Sequence, residues 1–509
     1  MKNIIRLIST ITFICRIVSE IRISDLAIAK HYRKLRWGTR APPVRVFRFI
    51  CWTLYQLFVT MPKADSCLSN SLDISTTPMW LRDPNPYRNH PWEEDPHRAF
   101  PEIVDTVVIG AGFTGAASAY HWARRARADK AMVILEKDDP ASGSSGRNEG
   151  LVVMGRYFKM VKDMVQQHLP TVRSDLDSRS QERLAEQFAH HYCAAAYRNG
   201  AQIADTIERE AFECQYVRAG WVQARTEDEQ VSLQQSVELA KKTNTTDWQS
   251  ISSEEVRLRT GMHTDHDAGF SKDAASWHPA KWVWCLLQRA LIKPQVNLFT
   301  RTTVQKVQLH GTEYHVITDR GMVRARHVIY ATESYTPQLE PSFSNTIIPM
   351  QEQAASGTGG PTTMKPHVGI SGSWYFAGRY GKRVLFGSGG ARLSDHEAGR
   401  NQPSRFLTRF VASEMKQYFG SYHIEMENEW SGTVGYTPDQ YPIVGCMDGK
   451  GRYIVAGMCG SGSAVSFNGA RCVVNRILSL TDEPDDYPEE YFAPSRLLCP
   501  KEHCWPEID

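Results

Sequence analysis

None of the eleven cysteines stands in a C-x-x-C pair, and no His/Cys group shows metal-ligand spacing. That excludes a structural zinc site or a disulfide framework as the organising element, and no metal is expected. Cys499, His503 and Cys504 lie near one another, but without a repeated pattern they read as incidental. Excess charge is missing too: 509 residues carry a net charge of only +3, which leaves a nucleic-acid partner without an electrostatic basis. No uninterrupted apolar run reaches the roughly 18 residues of a confident membrane span. Internal repeats and long low-complexity tracts are absent, which excludes a solenoid. What remains is a chain with 41% hydrophobic and 23% charged residues, a composition suited to an ordinary globular core. The plain expectation is a reduced, cytoplasmic protein.

The first sixty residues depart from this. They hold eleven Lys/Arg against Glu20 and Asp25, with apolar patches at 4–18 and 44–60. Three readings stand side by side. They could form an organelle presequence of mitochondrial type. They could be a segment lying on a membrane with its arginines at the interface, which is the only membrane contact the chain suggests. Or they could be an artefact upstream of a true start at Met61. The third is preferred, because Met61 opens a polar stretch. Residues 61–102, rich in Pro, Asp and Asn with Trp80, Tyr87 and Trp92 interspersed, read as an extended arm whose aromatics pack on the body.

At 104–120 a short apolar run turns through three glycines into a helix and continues to a second apolar run ending at Glu136. This is a βαβ unit that holds a dinucleotide. Gly110 allows the tight turn, Gly112 lets backbone approach a pyrophosphate, and Gly115 permits close helix–strand packing. Phe113 and Thr114 open the helix, whose N–H groups would face the phosphates. Glu136, 21 positions beyond Gly115, can accept hydrogen bonds from a ribose, with Lys137 beside it. Downstream come a helical block over 156–215, a helix from His278, strands from 296 to 332, a helix over 404–418, and a closing strand–glycine turn–helix unit over 452–480.

Three further blocks accompany the glycine unit: ASGSSGRNEG at 141–150, HVIYATESYTPQL at 327–339, and GYTPDQYPIVG at 435–445 followed by IVAGMCGSGSAV at 454–465. Together the four resemble the FAD-dependent D-amino-acid/glycine/sarcosine oxidase (DAO) family, nearest its γ-glutamylputrescine oxidoreductase-like branch. The resemblance covers 103–480. It implies an α/β fold: a Rossmann-like FAD-binding domain interwoven with an α+β substrate cap built on an antiparallel sheet. The expected FAD segments are 103–170, 290–345 and 430–480. The expected cap is 171–289 and 346–429, and 481–509 is a tail. The family pattern sets Ser145, Gly146, Arg147 and Asn148 against the flavin, makes Val304 a second adenosine contact, and puts Ala331 and Thr332 by the phosphates. It brings the N–H groups of Gly460, Ser461 and Gly462 to the flavin, where a positive helix end would favour the reduced form.

The implied reaction removes hydride from the carbon bearing an amine, leaving an imine that water hydrolyses. The partners implied are a small amine or amino acid and O2 or another electron acceptor. Arg379 falls near a carboxylate-clamping arginine of the amino-acid-oxidising members, and Tyr375 could line the pocket, as could Tyr335, Trp430 and Tyr436. Arg392 is a weaker candidate. With no cysteine near Gly435 and no histidine in 144–150, the FAD should be noncovalent. Glu149 and Glu333 replace small or amide residues, and Leu385 stands about where some members have an oxygen-activating lysine. Two alternatives stay open: a membrane-associated amine dehydrogenase passing electrons to a quinone or carrier, and a flavin-binding protein without turnover.

Overall fold

Strand Ile103–Ile109 is apolar on both faces after its first residues, as a central strand of a parallel sheet must be, and it lies between two parallel neighbours, Met132–Leu135 and Gly321–Tyr330. The computed structural model describes residues 74–508 apart from 155–156, 244–246, 373–374, 388–392, 395–397 and 400, together with positions 43, 44, 47, 51, 54, 55 and 67–69. The readings made for residues 1–60, and that for Arg392, therefore fall almost wholly outside the described residues.

Val296–Phe299 extends the parallel sheet beyond Met132–Leu135, and Arg452–Ala456 extends it beyond Gly321–Tyr330, with Ile443–Cys446 antiparallel at that edge. Strands Val304–His310 and Glu313–Thr318 lead into Gly321–Tyr330 as an antiparallel meander. A second, nine-stranded sheet is antiparallel except for the pair Trp221–Gln223 and Gly369–Ser371. Its longest ladder joins Ile348–Gly359 to Ile424–Tyr436. The α/β architecture expected from sequence, a dinucleotide-type sheet beside an antiparallel one, is the architecture found.

Two expected boundaries fall inside single elements. Helix Pro279–Leu291 runs through residue 290 and packs on helix Phe113–Arg125 of the glycine unit. Strand Ile424–Tyr436 runs unbroken through residue 430 in the cap sheet. The helical block over 156–215 is two helices, Phe158–Val172 and Ser178–Glu210. The latter starts where Asp177 accepts a hydrogen bond from the Ser180 N–H, satisfying one of the orphan donors of the first turn.

The segments flanking this body are fastened to it. In the arm, Trp80 is buried and the Trp92 indole donates to the Thr300 carbonyl at 2.6 Å. In the tail, Arg496 is buried and pairs with Asp439 at 2.9 Å while donating to the Tyr441 carbonyl. Arg471, on helix Gly462–Leu478, holds Glu483 and Asp486, each at 2.6 Å. Among the described residues no helix is long and apolar enough to cross a membrane.

Candidate active site

The C-terminal ends of the parallel strands open on a cavity of about 550 Å³, lined by Ile109, Leu135 and Ala331 from the strand ends and by residues of the cap sheet, including Glu352, Ala354 and Phe376. That is the place where open α/β sheets bind ligands, and the volume suits an elongated organic cofactor.

The glycine unit builds the floor. Gly110 has φ +103°, and a Cβ there would come within 2.6 Å of the Ala331 carbonyl. A Cβ on Gly115 would lie 1.8 Å from the Gly110 carbonyl, so this glycine serves packing and not the cavity wall. Gly112, Phe113 and Thr114 bring the helix N-terminus to the cavity. Ser145 Oγ accepts a hydrogen bond from the Phe113 N–H at 2.8 Å, so this loop serine caps the helix and draws the loop against it. The Glu136 carboxylate accepts from the N–H groups of Ala111 (2.7 Å) and Asp138 (2.9 Å), and burial raises its pKa. Lys137 stacks on the Tyr335 ring at 3.9 Å. Val304, Ala331, Thr332, Arg147, Asn148, Gly460 and Gly462 also line the cavity, whereas Gly146 and Ser461 do not. Gly146 is packed under Leu81 and the Ala141 carbonyl, and Ser461 is buried at the start of helix Gly462–Leu478.

Two expected substrate residues are elsewhere. Arg379 donates to the carbonyls of Met364 (3.1 Å), Gly359 (3.1 Å) and Pro361 (2.6 Å) and does not line the cavity. Tyr375 is buried in the cap core, its hydroxyl 3.5 Å from the Met262 sulfur. The cause is strand alternation: on Phe376–Tyr380, Phe376 lines the cavity and Tyr380 on the same face reaches the carbonyl of Glu149, whereas the odd positions face away. Arg379→Met is accordingly expected to leave FAD affinity and turnover unchanged while lowering stability by about 1–3 kcal/mol, since it orphans three carbonyls. Thermal melting beside steady-state kinetics checks this.

The cavity wall is acidic. Glu333, at φ +46°, accepts hydrogen bonds from the N–H groups of Gly435 (2.6 Å) and Met458 (2.8 Å). It thus ties the end of the long cap strand to the turn before helix Gly462–Leu478. Burial pushes its carboxyl up to about 7 against those two hydrogen bonds. Burial likewise pushes Glu149 up to about 7, and the neighbouring Glu352 carboxylate adds to the effect. Glu352 itself accepts from the Tyr436 hydroxyl at 2.6 Å. Sequence reasoning passed over Glu352 because a lone glutamate in a strand carries no motif. Tyr335 lines the cavity, and Trp430 and Tyr436 bond to the lining residues Arg147 and Glu352. Leu385 is buried and is not part of the lining.

Close-approach glycines, a helix N-terminus aimed into the cavity and a buried acid at the second strand end fit the ADP half of a dinucleotide. The loop 143–149 and the turn at 458–462 supply wall for a longer flavin. Fold and site together define a two-domain, dinucleotide-dependent flavoenzyme. The family model for FAD dependent oxidoreductases (DAO) matches residues 105–476, and the chain belongs to that family. It is an FAD-dependent oxidoreductase, with a small-molecule substrate and an electron acceptor. Gamma-glutamylputrescine oxidoreductase of Escherichia coli (strain K12) is 22% identical over 70% of this chain and 80% of its own. Among solved structures, L-proline dehydrogenase from P. horikoshii superposes with a TM-score of 0.61 at 18% identity, covering 78% of this chain and 98% of that one. L-amino acid deaminase from Proteus vulgaris, with its specific insertion sequence deleted, gives 0.60 at 18% identity, covering 78% and 94%.

Proposed function

We propose that this enzyme oxidises the C–N bond of a small amine, with a carboxylate-free amine preferred to a free amino acid. When bound, FAD supplies the two-electron acceptor for hydride from the amine-bearing carbon. Gly110, Gly112, Thr114 and Glu136 hold the adenosine diphosphate half; Arg147, Asn148, Gly460 and Gly462 lie along the rest, held without a covalent bond. The observation that carries the substrate preference is the charge of the wall. Glu149 and Glu352 face one cavity from two different elements, an arrangement that attracts a cationic amine and repels a carboxylate. The lining arginines are already engaged: Arg147 by the carbonyls of Ser142 and Ser431, and Arg301 by Asp139. Arg379, the expected carboxylate clamp, is spent on the cap backbone.

An amine must lose its proton before hydride leaves the adjacent carbon. Glu149, held near neutrality and lining the cavity, suits acceptance of that proton. The family relationship agrees with amine chemistry.

The test is anaerobic titration of the FAD-loaded protein with a panel of primary and secondary amines and amino acids. Amines are expected to bleach the flavin band, and matched amino acids to leave it. Bleaching by amino acids alone would overturn the preference, and a band that no compound bleaches would point to flavin binding without turnover. Oxygen uptake under the same conditions separates an oxidase from a dehydrogenase.

A further inference from the structure

Three consecutive carbonyls of the loop 143–150 are each capped by an aromatic side chain from a different part of the chain. The Trp430 indole N–H, on the long cap strand, donates to the Arg147 carbonyl at 2.9 Å. The Trp80 indole N–H, in the N-terminal arm, donates to the Asn148 carbonyl at 2.8 Å. The Tyr380 hydroxyl, at the end of a cap hairpin strand, donates to the Glu149 carbonyl at 2.6 Å and reaches the Gly150 carbonyl at 3.2 Å. The Trp80 and Tyr380 rings meet edge to face, with centroids 5.0 Å apart. Trp80 and Trp430 are buried, and a Cβ on Gly150 would press to 2.6 Å of the Trp80 ring. With these carbonyls engaged, residues Arg147, Asn148 and Glu149 line the cavity.

We propose that Trp80, Tyr380 and Trp430 form an aromatic clamp that preorganises the cofactor loop, and that they are positioning residues for FAD and for Glu149. Trp80 lies outside the span matched by the family model, so this chain adds an arm residue to a site whose other parts lie within it. The physical case is entropic. A glycine-bearing surface loop has many conformations, and a ligand that orders it loses affinity by that ordering cost. Three donors from three elements hold one conformation before the ligand arrives. Each of these partly buried carbonyls also loses its partner if the clamp opens, which disfavours the open form. Because Tyr380 and Trp430 belong to the cap sheet and Trp80 to the arm, the clamp ties loop geometry to the seating of both.

The proposal rests on the reading that this loop faces FAD, and the experiment separates the two. Full-length Trp80→Phe, Tyr380→Phe and Trp430→Phe each remove one donor and keep an aromatic ring. Tyr422→Phe is the control: it removes a comparable hydroxyl hydrogen bond, to the Ala412 carbonyl at 2.6 Å, within the cap core. Apoprotein is titrated with FAD by flavin fluorescence, and visible circular dichroism of the bound flavin is recorded. Each clamp variant is expected to bind FAD about tenfold more weakly with an altered flavin dichroism, while Tyr422→Phe changes only thermal stability. The double variant Trp80→Phe/Tyr380→Phe should lose less than the product of the single losses, since a loop once released has little more to lose. Clamp variants that match the control in FAD affinity and dichroism would overturn the clamp. Wild-type protein that takes up no FAD would instead overturn the reading beneath it. If either tryptophan variant does not fold, Tyr380→Phe, at a partly exposed position, carries the test alone.

Discussion

Gly115→Ala is expected to yield a colourless protein. The added methyl would stand 1.8 Å from the Gly110 carbonyl oxygen and 2.9 Å from its carbon, closer than nonbonded atoms tolerate. Gly110 cannot retreat, because the space on its other side is filled: a Cβ there would be 2.6 Å from the Ala331 carbonyl oxygen. The strain must therefore move the start of helix Phe113–Arg125 away from strand Ile103–Ile109. That displaces the N–H groups that would meet the pyrophosphate. Overpacking of this kind costs roughly 1–3 kcal/mol of stability, but the loss of FAD affinity should be far larger, on the order of a hundredfold or more, because misplacement of several charge-assisted donors is felt at once. The flavin-to-protein absorbance ratio after loading with FAD measures it, with apoprotein melting as the companion reading. Gly200→Ala provides the contrast. It lies within helix Ser178–Glu210 with nothing within 4 Å of its added methyl, and should stabilise by about 1 kcal/mol with full FAD content. A yellow Gly115→Ala protein would show that the glycine unit does not carry the cofactor.

Glu149→Gln should make the apoprotein more stable at pH 8 and leave it almost unchanged at pH 4. A carboxyl whose pKa is raised on folding binds more protons in the native state than in the unfolded chain between its ordinary value and the raised one. Stability therefore falls as pH rises through that window. For Glu149 the window runs from 4.5 to about 7. Below it, both states are protonated and the charge costs nothing. Above it, the native protein carries a carboxylate that burial and the adjacent Glu352 both disfavour. A full shift of this size corresponds to about 3 kcal/mol. Glu149 is half-buried and lines the cavity, so solvent screening reduces this and about 1–2 kcal/mol is the expected gain for the glutamine variant at pH 8. Apoprotein melting temperatures for both proteins across pH 4 to 8 check it, and parallel curves would remove Glu149 from any titrating role. Amine oxidation by Glu149→Gln should also lose its dependence on a group near neutral pH, which the pH profile of kcat/KM reads directly.

The glycine unit was legible because every requirement on it is local. A tight turn, a close approach and a helix start constrain residues only a few positions apart, and Glu136 follows at the end of the next strand. Loop 143–149 and the turn at 458–462 were legible as motifs, although which of their residues reach the cavity was not. Ser145 lines the cavity and also caps the helix, whereas Gly146 became a packing position, since a loop's outward and inward sides depend on what lies beneath it. Arg379 and Tyr375 fail for a sharper reason. On a strand, one step along the chain reverses the side chain's direction. An offset of a single residue exchanged Phe376, which lines the cavity, for Tyr375 in the cap core, and Tyr380, which reaches the loop 143–150, for Arg379, which is held by cap backbone carbonyls.

By itself the amino-acid sequence determined the dinucleotide turn, because that follows from short-range stereochemistry and residue spacing, and its four motif blocks pointed through their family resemblance to the α/β class and to FAD. Tertiary structure alone decided the acidity of the cavity, the clamp on its loop and the silence of Arg379. Glu149 meets Glu352, and Trp80 meets Asn148, across long stretches of chain. Such meetings are set by strand register and by the packing of one sheet on another, and no local pattern records them.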